Sequence, residues 1–218
     1  MTYSFSICNG YVVIDIDGNK FMLDTGLPTS MSVRAGLKEV TINGARCPLM
    51  SAGQHAPALS VATGIALDGL IGMDILSRLG GVTCDIAAGK ATFGACTRTD
   101  GVAVPFERRN DFHFAVRANG KNARGYLDVG APRTMVDDHS LLDESRCIGS
   151  TVEPSFRGPI RTLEYEGELE FGGVSATVRM LRSVPGTNRD GSQIYFSIAS
   201  VAKEFFAIDL VNQTIRFL

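Results

Sequence analysis

The sequence predicts an all-β protein made of two lobes related by a pseudo-two-fold axis, with a few short helices. Runs of alternating apolar residues are separated by turn-forming pairs, Gly occurs 24 times while Trp is absent, and the second half repeats the pattern of the first. Period-two alternation between turn signals is typical of strands. The expected strands are Phe5–Ile7, Tyr11–Ile16, Lys20–Leu23, Glu39–Ile42, Phe112–Arg117, Gly125–Leu127, Leu169–Phe171 and Thr214–Phe217, and short helical turns are expected at Asp74–Leu79, His139–Glu144 and Ser200–Glu204.

The repeat is clearest around two predicted hairpins. YVVIDIDGNKFMLDTG and DFHFAVRANGKNARGYLDVG each contain a strand, a turn pair, a second strand, an acid and a glycine. The pairs Asp17-Gly18 and Asn119-Gly120 favour tight turns of the primed type. Each hairpin therefore brings an aspartate, Asp24 or Asp128, to the end of its second strand.

The repeat continues along the chain. KEVTINGARCPLM corresponds to GELEFGGVSATVRM, and GLIGMDILSRLGGVTCDIAAGKATF corresponds to IYFSIASVAKEFFAIDLVNQTIRF. Self-similarity of this extent indicates two copies of one unit. We expect two lobes, residues 1–98 and 99–218, the second of which carries a flap.

Composition restricts the possible partners. The 218 residues are 44% apolar with a formal net charge of −2, which disfavours nucleic acid and anionic membrane surfaces as partners. No apolar run approaches a membrane span, and the N-terminal residues do not resemble a signal peptide. The chain as given is expected to be cytoplasmic, and a processed or anchored precursor remains compatible with it.

The five cysteines are odd in number and widely spaced, without a C-x-x-C pair. This pattern predicts neither a disulfide framework nor a zinc site, and we expect no metal or cofactor. Most of the cysteines are expected to be buried.

Asp24 and Asp128 are expected to meet on the axis that relates the two copies. Two carboxyl groups within hydrogen-bonding distance share one proton, because both cannot ionise cheaply. A water between them can lose a proton to the carboxylate while the carboxylic acid polarises a carbonyl. This chemistry hydrolyses an amide without a covalent intermediate.

With LDTG at residues 23–26, LDVG at 127–130 and the apolar-apolar-Gly element Leu70-Ile71-Gly72, the chain resembles the aspartic peptidases of the retropepsin-like and pepsin-like group. The second copy of the last element is Tyr195-Phe196-Ser197, in which Ser replaces Gly. The resemblance covers nearly the whole chain and implies the bilobal aspartic-peptidase β-barrel fold with retropepsin-sized halves. It also implies a monomeric endopeptidase that acts on peptide or protein substrates.

The resemblance assigns Asp24 and Asp128 as the catalytic pair. Gly26 and Gly130 let the backbone turn tightly beside this pair, and Thr25 braces the two loops through its hydroxyl. The substrate is expected to contact Thr25, Gly26, Val129 and Gly130. Val129 occupies the equivalent place in the second loop and cannot form the other half of the brace.

Leu27 and Ala131 stand where pepsin-type sequences have a hydroxyl residue that hydrogen-bonds the carboxylates. Without these hydrogen bonds the charged form is less favoured, and we expect a working pH of roughly 5 to 7.

The segment after the second aspartate is long enough for a covering hairpin, whereas the matching segment of the first half is short. We expect one flap, from the second half, with its tip at residues 155–159 and with Phe156, Arg157 and Gly158 against the substrate. The alternative is an exposed loop without a role.

A second function stays open: a catalytically weak or inactive module that binds peptide or protein in the same cleft. Val129, Leu27 and Ser197 favour it, and the retention of both aspartates disfavours it.

Overall fold

The computed structural model describes residues 1–53, 59, 61, 63–108, 112–153, 160–183 and 191–218. Strands dominate these ranges. In chain order they are β1 Tyr3–Cys8, β2 Tyr11–Ile16, β3 Asn19–Leu23, β4 Met31–Ser32, β5 Glu39–Ile42, β6 Ala45–Pro48, β7 Met50–Ser51, β8 Gly69–Ile71, β9 Gly81–Asp85, β10 Lys90–Phe93, β11 Val102–Pro105, β12 Glu107–Arg108, β13 Phe112–Ala118, β14 Lys121–Leu127, β15 Thr134–Val136, β16 Cys147–Glu153, β17 Ile160–Phe171, β18 Val174–Arg182, β19 Ile194–Phe196, β20 Phe205–Asp209 and β21 Thr214–Phe217.

The strands form an eleven-stranded sheet, an eight-stranded sheet and the separate pair β5-β6. The larger sheet has the order β11-β21-β20-β9-β10-β1-β2-β3-β8-β4-β7, and the smaller has the order β12-β13-β14-β19-β15-β18-β17-β16. The runs β1-β2-β3-β8-β4-β7 and β12-β13-β14-β19-β15-β18 have the same sequence of antiparallel and parallel pairings. The repeated sequence pattern therefore corresponds to a repeated strand arrangement.

The predicted hairpin turns are confirmed. Asp17 and Gly18 have φ values of 53° and 78°, and Asn119 and Gly120 have φ values of 48° and 78°. Positive φ at both central residues defines the primed turn that matches the twist of the flanking strands. The registers Ile16↔Asn19 and Ala118↔Lys121 close each hairpin at its turn pair.

Helices are short, as predicted. Helix α1 spans Met73–Leu79 and ends at Gly80, which has a left-handed conformation that glycine adopts without a steric cost. Two single turns of 3-10 helix, His139–Leu141 and Glu144–Arg146, occupy the second predicted helical segment.

The third helical prediction, Ser200–Glu204, is wrong. A 3-10 turn lies earlier, at Ile198–Ser200. The N–H groups of Lys203, Glu204 and Phe205 instead donate to the carbonyl of Leu218, so they join the end of β21 and are not available to a helix.

The main hydrophobic core includes residues from both halves, among them Ile14, Leu23, Phe114, Phe196 and Phe206. A smaller cluster on the other face of β2 contains Tyr11, Val13, Met22, Ala52, Leu59, Leu67 and Leu70. Strand β2 is therefore buried on both faces, which explains why its sequence, YVVIDI, is apolar beyond simple alternation.

All five cysteines are described, and each is a free thiol. Cys47 and Cys84 are buried, whereas Cys8 and Cys96 are half-buried and Cys147 is exposed, so the expectation that most are buried is wrong. Cys8 ends β1, Cys147 begins the edge strand β16 and Cys96 lies in the loop between β10 and β11, so these three side chains are partly open to solvent. Within the described ranges, none of the helices has the length and apolar character needed to cross a membrane.

Candidate active site

Asp24 and Asp128 occupy equivalent positions at the ends of β3 and β14. Each of these strands pairs in parallel with a short strand from later in its own half, β8 or β19. The backbone N–H of Asp24 donates to the carbonyl of Ile71 at 3.0 Å, and that of Asp128 donates to the carbonyl of Phe196 at 3.1 Å. The same backbone hydrogen bond thus fixes the start of each aspartate loop.

The two carboxyl groups lie next to one another, each against a glycine. A Cβ atom added to Gly130 would lie 2.5 Å from Cγ of Asp24, so a larger residue would displace that carboxyl group. A Cβ atom added to Gly26 would lie 3.2 Å from Oδ1 of Asp24 and 3.7 Å from Oδ1 of Asp128. Both carboxyl groups therefore border the same small space, and at Gly130 only glycine leaves room for the carboxyl group of Asp24.

The surroundings of the two acids differ. Oδ1 of Asp24 accepts a hydrogen bond of 2.8 Å from the N–H of Gly26. Oδ1 of Asp128 is buried and has no hydrogen-bond partner among the described residues. A donor at hydrogen-bonding distance stabilises negative charge, so Oδ1 of Asp24 is better suited to carry that charge than Oδ1 of Asp128.

The pKa values of both acids are raised. Burial is the largest cause at Asp24, and the backbone N–H groups of Gly26 and Leu27 partly offset it. Burial is also the largest cause at Asp128, the neighbouring charge of Asp24 adds to it, and the backbone N–H groups of Gly130 and Ala131 partly offset both. The pair therefore holds one proton over a range above the ordinary pKa of an aspartate, and its titration belongs to the two carboxyl groups together.

The hydroxyl of Thr25 joins the two loops. Its Oγ1 donates to the carbonyl of Leu127 at 2.7 Å and accepts a hydrogen bond of 3.0 Å from the N–H of Val129. Val129 is buried at the equivalent position, and its side chain has no donor or acceptor. The side chain of Val129 therefore adds no counterpart to the brace that Thr25 forms.

Sequence reasoning missed a second contact between the loops. The hydroxyl of Tyr126 donates to the carbonyl of Thr25 at 2.8 Å, in a buried position. Tyr126 lies two residues before Asp128, where the first half has Met22 before Asp24. That difference between the two copies was the available signal.

Behind each loop, a hydroxyl holds the apolar-apolar-small element. The N–H of Gly72 donates to Oγ of Ser30 at 2.8 Å, and the N–H of Ser197 donates to Oγ1 of Thr134 at 3.3 Å. Ser30 also donates to Oδ1 of Asp74 at 2.5 Å, which agrees with a structural role for that acid. The hydroxyl of Ser197 itself is buried and lacks a hydrogen-bond partner among the described residues.

A hairpin is present where the flap was predicted. Strands β16 and β17 pair from Cys147↔Tyr165 to Glu153↔Ile160. The predicted tip, residues 155–159 with Phe156, Arg157 and Gly158, lies outside the described residues.

Arg133, five residues after Asp128, connects the second loop to this hairpin. Its Nη1 lies 2.9 Å from Oε1 of Glu153 on β16 and 3.9 Å from Oε1 of Glu164 on β17. Burial raises the pKa of Glu153, and the charge of Arg133 partly offsets this. These side chains carry no recognisable sequence signal, since they meet only when the hairpin folds back over the loop.

Tyr11 also lies near the two aspartates, which the sequence did not reveal. Burial raises its pKa to about 12, and the negative charges of Glu153, Asp128 and Asp24 contribute. The adjacent turn also approaches the second loop, since a Cβ atom on Gly10 would lie 2.6 Å from the carbonyl oxygen of Pro132.

In the described part of the chain, no three His, Cys, Asp or Glu side chains are grouped so that they could hold a metal ion.

Comparison with known proteins identifies the fold. No family model and no curated protein sequence matches the chain. Among solved structures, the aspartic proteinase from Irpex lacteus matches with a TM-score of 0.56 and 10% identity, over 100% of this chain and 97% of its own. The Simian Foamy Virus (mac) protease matches 41% of this chain and 90% of its own, with a TM-score of 0.33 and 19% identity. A retropepsin-like aspartic protease from Rickettsia conorii matches 50% of this chain and 89% of its own, with a TM-score of 0.37 and 8% identity.

The match to the Irpex lacteus enzyme spans both halves and agrees with the strand arrangement described above. At this identity the likeness is one of fold. The predicted fold class is confirmed: the chain has the mostly β fold of the aspartic proteases.

Proposed function

We propose that the chain is an aspartic endopeptidase that hydrolyses peptide bonds with a water activated between Asp24 and Asp128. One observation carries the proposal: two carboxyl groups from equivalent loops border one space, in surroundings that favour a single shared proton. A carboxylate beside a carboxylic acid can act as base and acid in one step.

The surroundings of the two acids suggest which takes each role. Asp24, whose Oδ1 accepts a backbone hydrogen bond while Oδ1 of Asp128 has no partner among the described residues, accepts a proton from the water. Asp128 donates its proton to the carbonyl oxygen of the substrate, and the water oxygen bonds to the carbonyl carbon. The tetrahedral intermediate then collapses as Asp24 passes its proton to the leaving nitrogen, while Asp128 regains a proton from one hydroxyl of the intermediate.

In this proposal the substrate binds as an extended peptide between the two aspartates and the hairpin β16-β17, with its backbone as an added strand. The ion pair between Arg133 and Glu153 supports this arrangement, because it ties the hairpin to the loop that carries Asp128. The hairpin is then the flap, with Phe156, Arg157 and Gly158 at its tip. The two lobes, residues 1–98 and 99–218, are copies of one duplicated unit and act together as a monomer.

The test is incubation of the protein with a diverse peptide library between pH 3 and pH 8. We expect cleavage with a maximum between roughly pH 5 and 7, where the pair holds one proton. Asp24→Asn should abolish cleavage. The matched control is Asp17→Asn in the β2-β3 turn, where Asn also tolerates the positive φ, and this variant should cleave like the wild type.

The alternative is a module that binds a peptide in the same cleft without cleaving it. Val129, which has no hydroxyl, and Ser197, whose hydroxyl has no partner among the described residues, favour it, because neither side chain adds a hydrogen bond to the support of the second loop. Library peptides that are retained but remain intact at every pH would support the module and contradict the peptidase.

A further inference from the structure

Three buried hydrogen bonds of Thr25 join the two aspartate loops. Its hydroxyl contacts the backbone of Leu127 and Val129, and its carbonyl accepts from the hydroxyl of Tyr126. The first contact runs from the first loop to the second. The Tyr126 contact runs in the opposite direction, from a side chain of the second half to the backbone of the first.

A symmetric brace needs one hydroxyl from each half. In the second half Val129 cannot supply it, but Tyr126 supplies one from two residues earlier on β14. The first half shows the converse pair, with Thr25 in the loop and Met22 at the earlier position. Each half therefore contributes one hydroxyl to the other, although from different positions.

The position of Tyr126 is well defined by its surroundings. Its backbone pairs with His113 on one side and with Tyr195 on the other. Its ring lies 5.6 Å from that of His113 and 5.8 Å from that of Tyr195, centroid to centroid. A phenol held by packing on both sides can fix the carbonyl that it contacts with little loss of side-chain freedom.

We propose that Tyr126 is a positioning residue that replaces the missing half of the brace. Its hydroxyl fixes the Thr25 carbonyl, and thereby the loop that places the Asp24 carboxyl group against Gly130 and beside Asp128. The expected effect of Tyr126 on turnover rests on the proposed function. Its effect on the geometry of the two carboxyl groups does not depend on turnover.

The test compares Tyr126→Phe, Val129→Thr and the double variant. The Phe variant keeps the ring packing and removes only the oxygen. We expect its kcat on a cleaved library peptide to fall about tenfold while KM stays within about twofold, because misplaced catalytic groups lower the rate more than binding.

Val129→Thr should rescue the double variant to within about threefold of wild-type kcat, since a threonine there can donate a hydrogen bond to the first half. Tyr3→Phe, at a hydroxyl remote from the site, serves as the matched control and should leave kcat unchanged.

A second readout follows the carboxyl carbons of Asp24 and Asp128 by NMR across pH. Loss of the brace should narrow the separation between the two apparent pKa values of the pair, and the double variant should restore it. If wild-type protein cleaves no peptide, the proposed function fails while this titration still decides the role of Tyr126. Unchanged kcat and titration in Tyr126→Phe would overturn the inference, as would a loss that Val129→Thr does not rescue. If Tyr126→Phe does not fold, kcat and the carboxyl titration of the double variant are compared with those of Val129→Thr. A large difference between those two proteins overturns the inference.

Discussion

Asp128 has a carboxyl oxygen that is buried without a hydrogen-bond partner among the described residues. Burial, and next the charge of Asp24, raise its pKa from 3.8 to about 7. The folded state therefore binds the proton more tightly than the unfolded state does. Below about pH 4 the carboxyl group is protonated in both states and has little effect on the free energy of unfolding. As the pH rises towards 7, the unfolded state loses the proton first, and the free energy of unfolding falls.

This linkage predicts that Asp128→Asn stabilises the protein at neutral pH. At about 1.4 kcal/mol per pKa unit, the gain at pH 7.5 should be about 2 to 4 kcal/mol, and it should disappear near pH 3.5. The measurement is urea unfolding of both proteins at the two pH values, with Asp17→Asn as the exposed control. A variant that is less stable than wild type at both pH values would show that the buried charge does not limit stability.

Asp24, Asp128 and Thr25 could be identified from the sequence because each belongs to a four-residue motif, LDTG or LDVG, that is recognisable on its own. Tyr126 and Arg133 could not be found in the same way. Thr25, the partner of Tyr126, is remote in sequence, and Glu153, the partner of Arg133, lies on a hairpin that must first fold back over the loop. Nothing in the local pattern distinguishes a bridging tyrosine from one that only fills the core.

At the scale of elements, the junction between each short strand and the turn that follows differs between the halves. A Cβ atom on Gly72 would lie 2.4 Å from the carbonyl oxygen of Leu27, and that same oxygen accepts from the N–H of Met73 at 2.8 Å. The first junction is therefore packed against its loop so closely that only glycine fits. The second junction has a full side chain, Ser197, whose hydroxyl has no hydrogen-bond partner in the part of the chain that the structure describes.

We therefore expect opposite responses to alanine at the two junctions. Gly72→Ala should destabilise by about 2 kcal/mol or more, because the added methyl group displaces the Leu27 carbonyl. Ser197→Ala should be neutral or slightly stabilising, since it removes a buried hydroxyl without a partner. Urea unfolding of the two variants tests this, and a larger loss for Ser197→Ala would mean that its hydroxyl has an essential contact.

Elements were predictable where their signal is local. The Asp-Gly and Asn-Gly pairs fixed two hairpins, whereas β17 was recognised only at Leu169–Phe171 although it spans Ile160–Phe171. Glu164, Glu166 and Glu168 alternate with the inward-facing residues of that strand, and glutamate is uncommon in strands. Pairing on both sides, with β16 and β18, compensates for the weak propensity.

At the scale of the whole molecule, the two halves share one sheet. Strand β20 pairs with β9 over five residues, from Phe205↔Asp85 to Asp209↔Gly81, and β21 and β11 extend the sheet from there. The sequence indicated two similar lobes but not this joint sheet, because the pairing of β9 with β20 joins segments about 120 residues apart, a separation at which local patterns carry no information. The main core is likewise built from both halves.

A shared sheet and core predict that the protein unfolds in one cooperative transition. Ala207→Pro, in the middle of β20, should weaken the whole molecule, because proline is not accommodated in a central strand. Amide hydrogen exchange of β2 and β13 measures the two halves separately. The free energy of opening should fall by the same amount in both strands, since neither half retains its core when the joint sheet opens. Protection that is lost in one strand and kept in the other would instead show two independently stable lobes, and the paired aspartates would then depend on the brace at Thr25 and Tyr126 alone for their alignment.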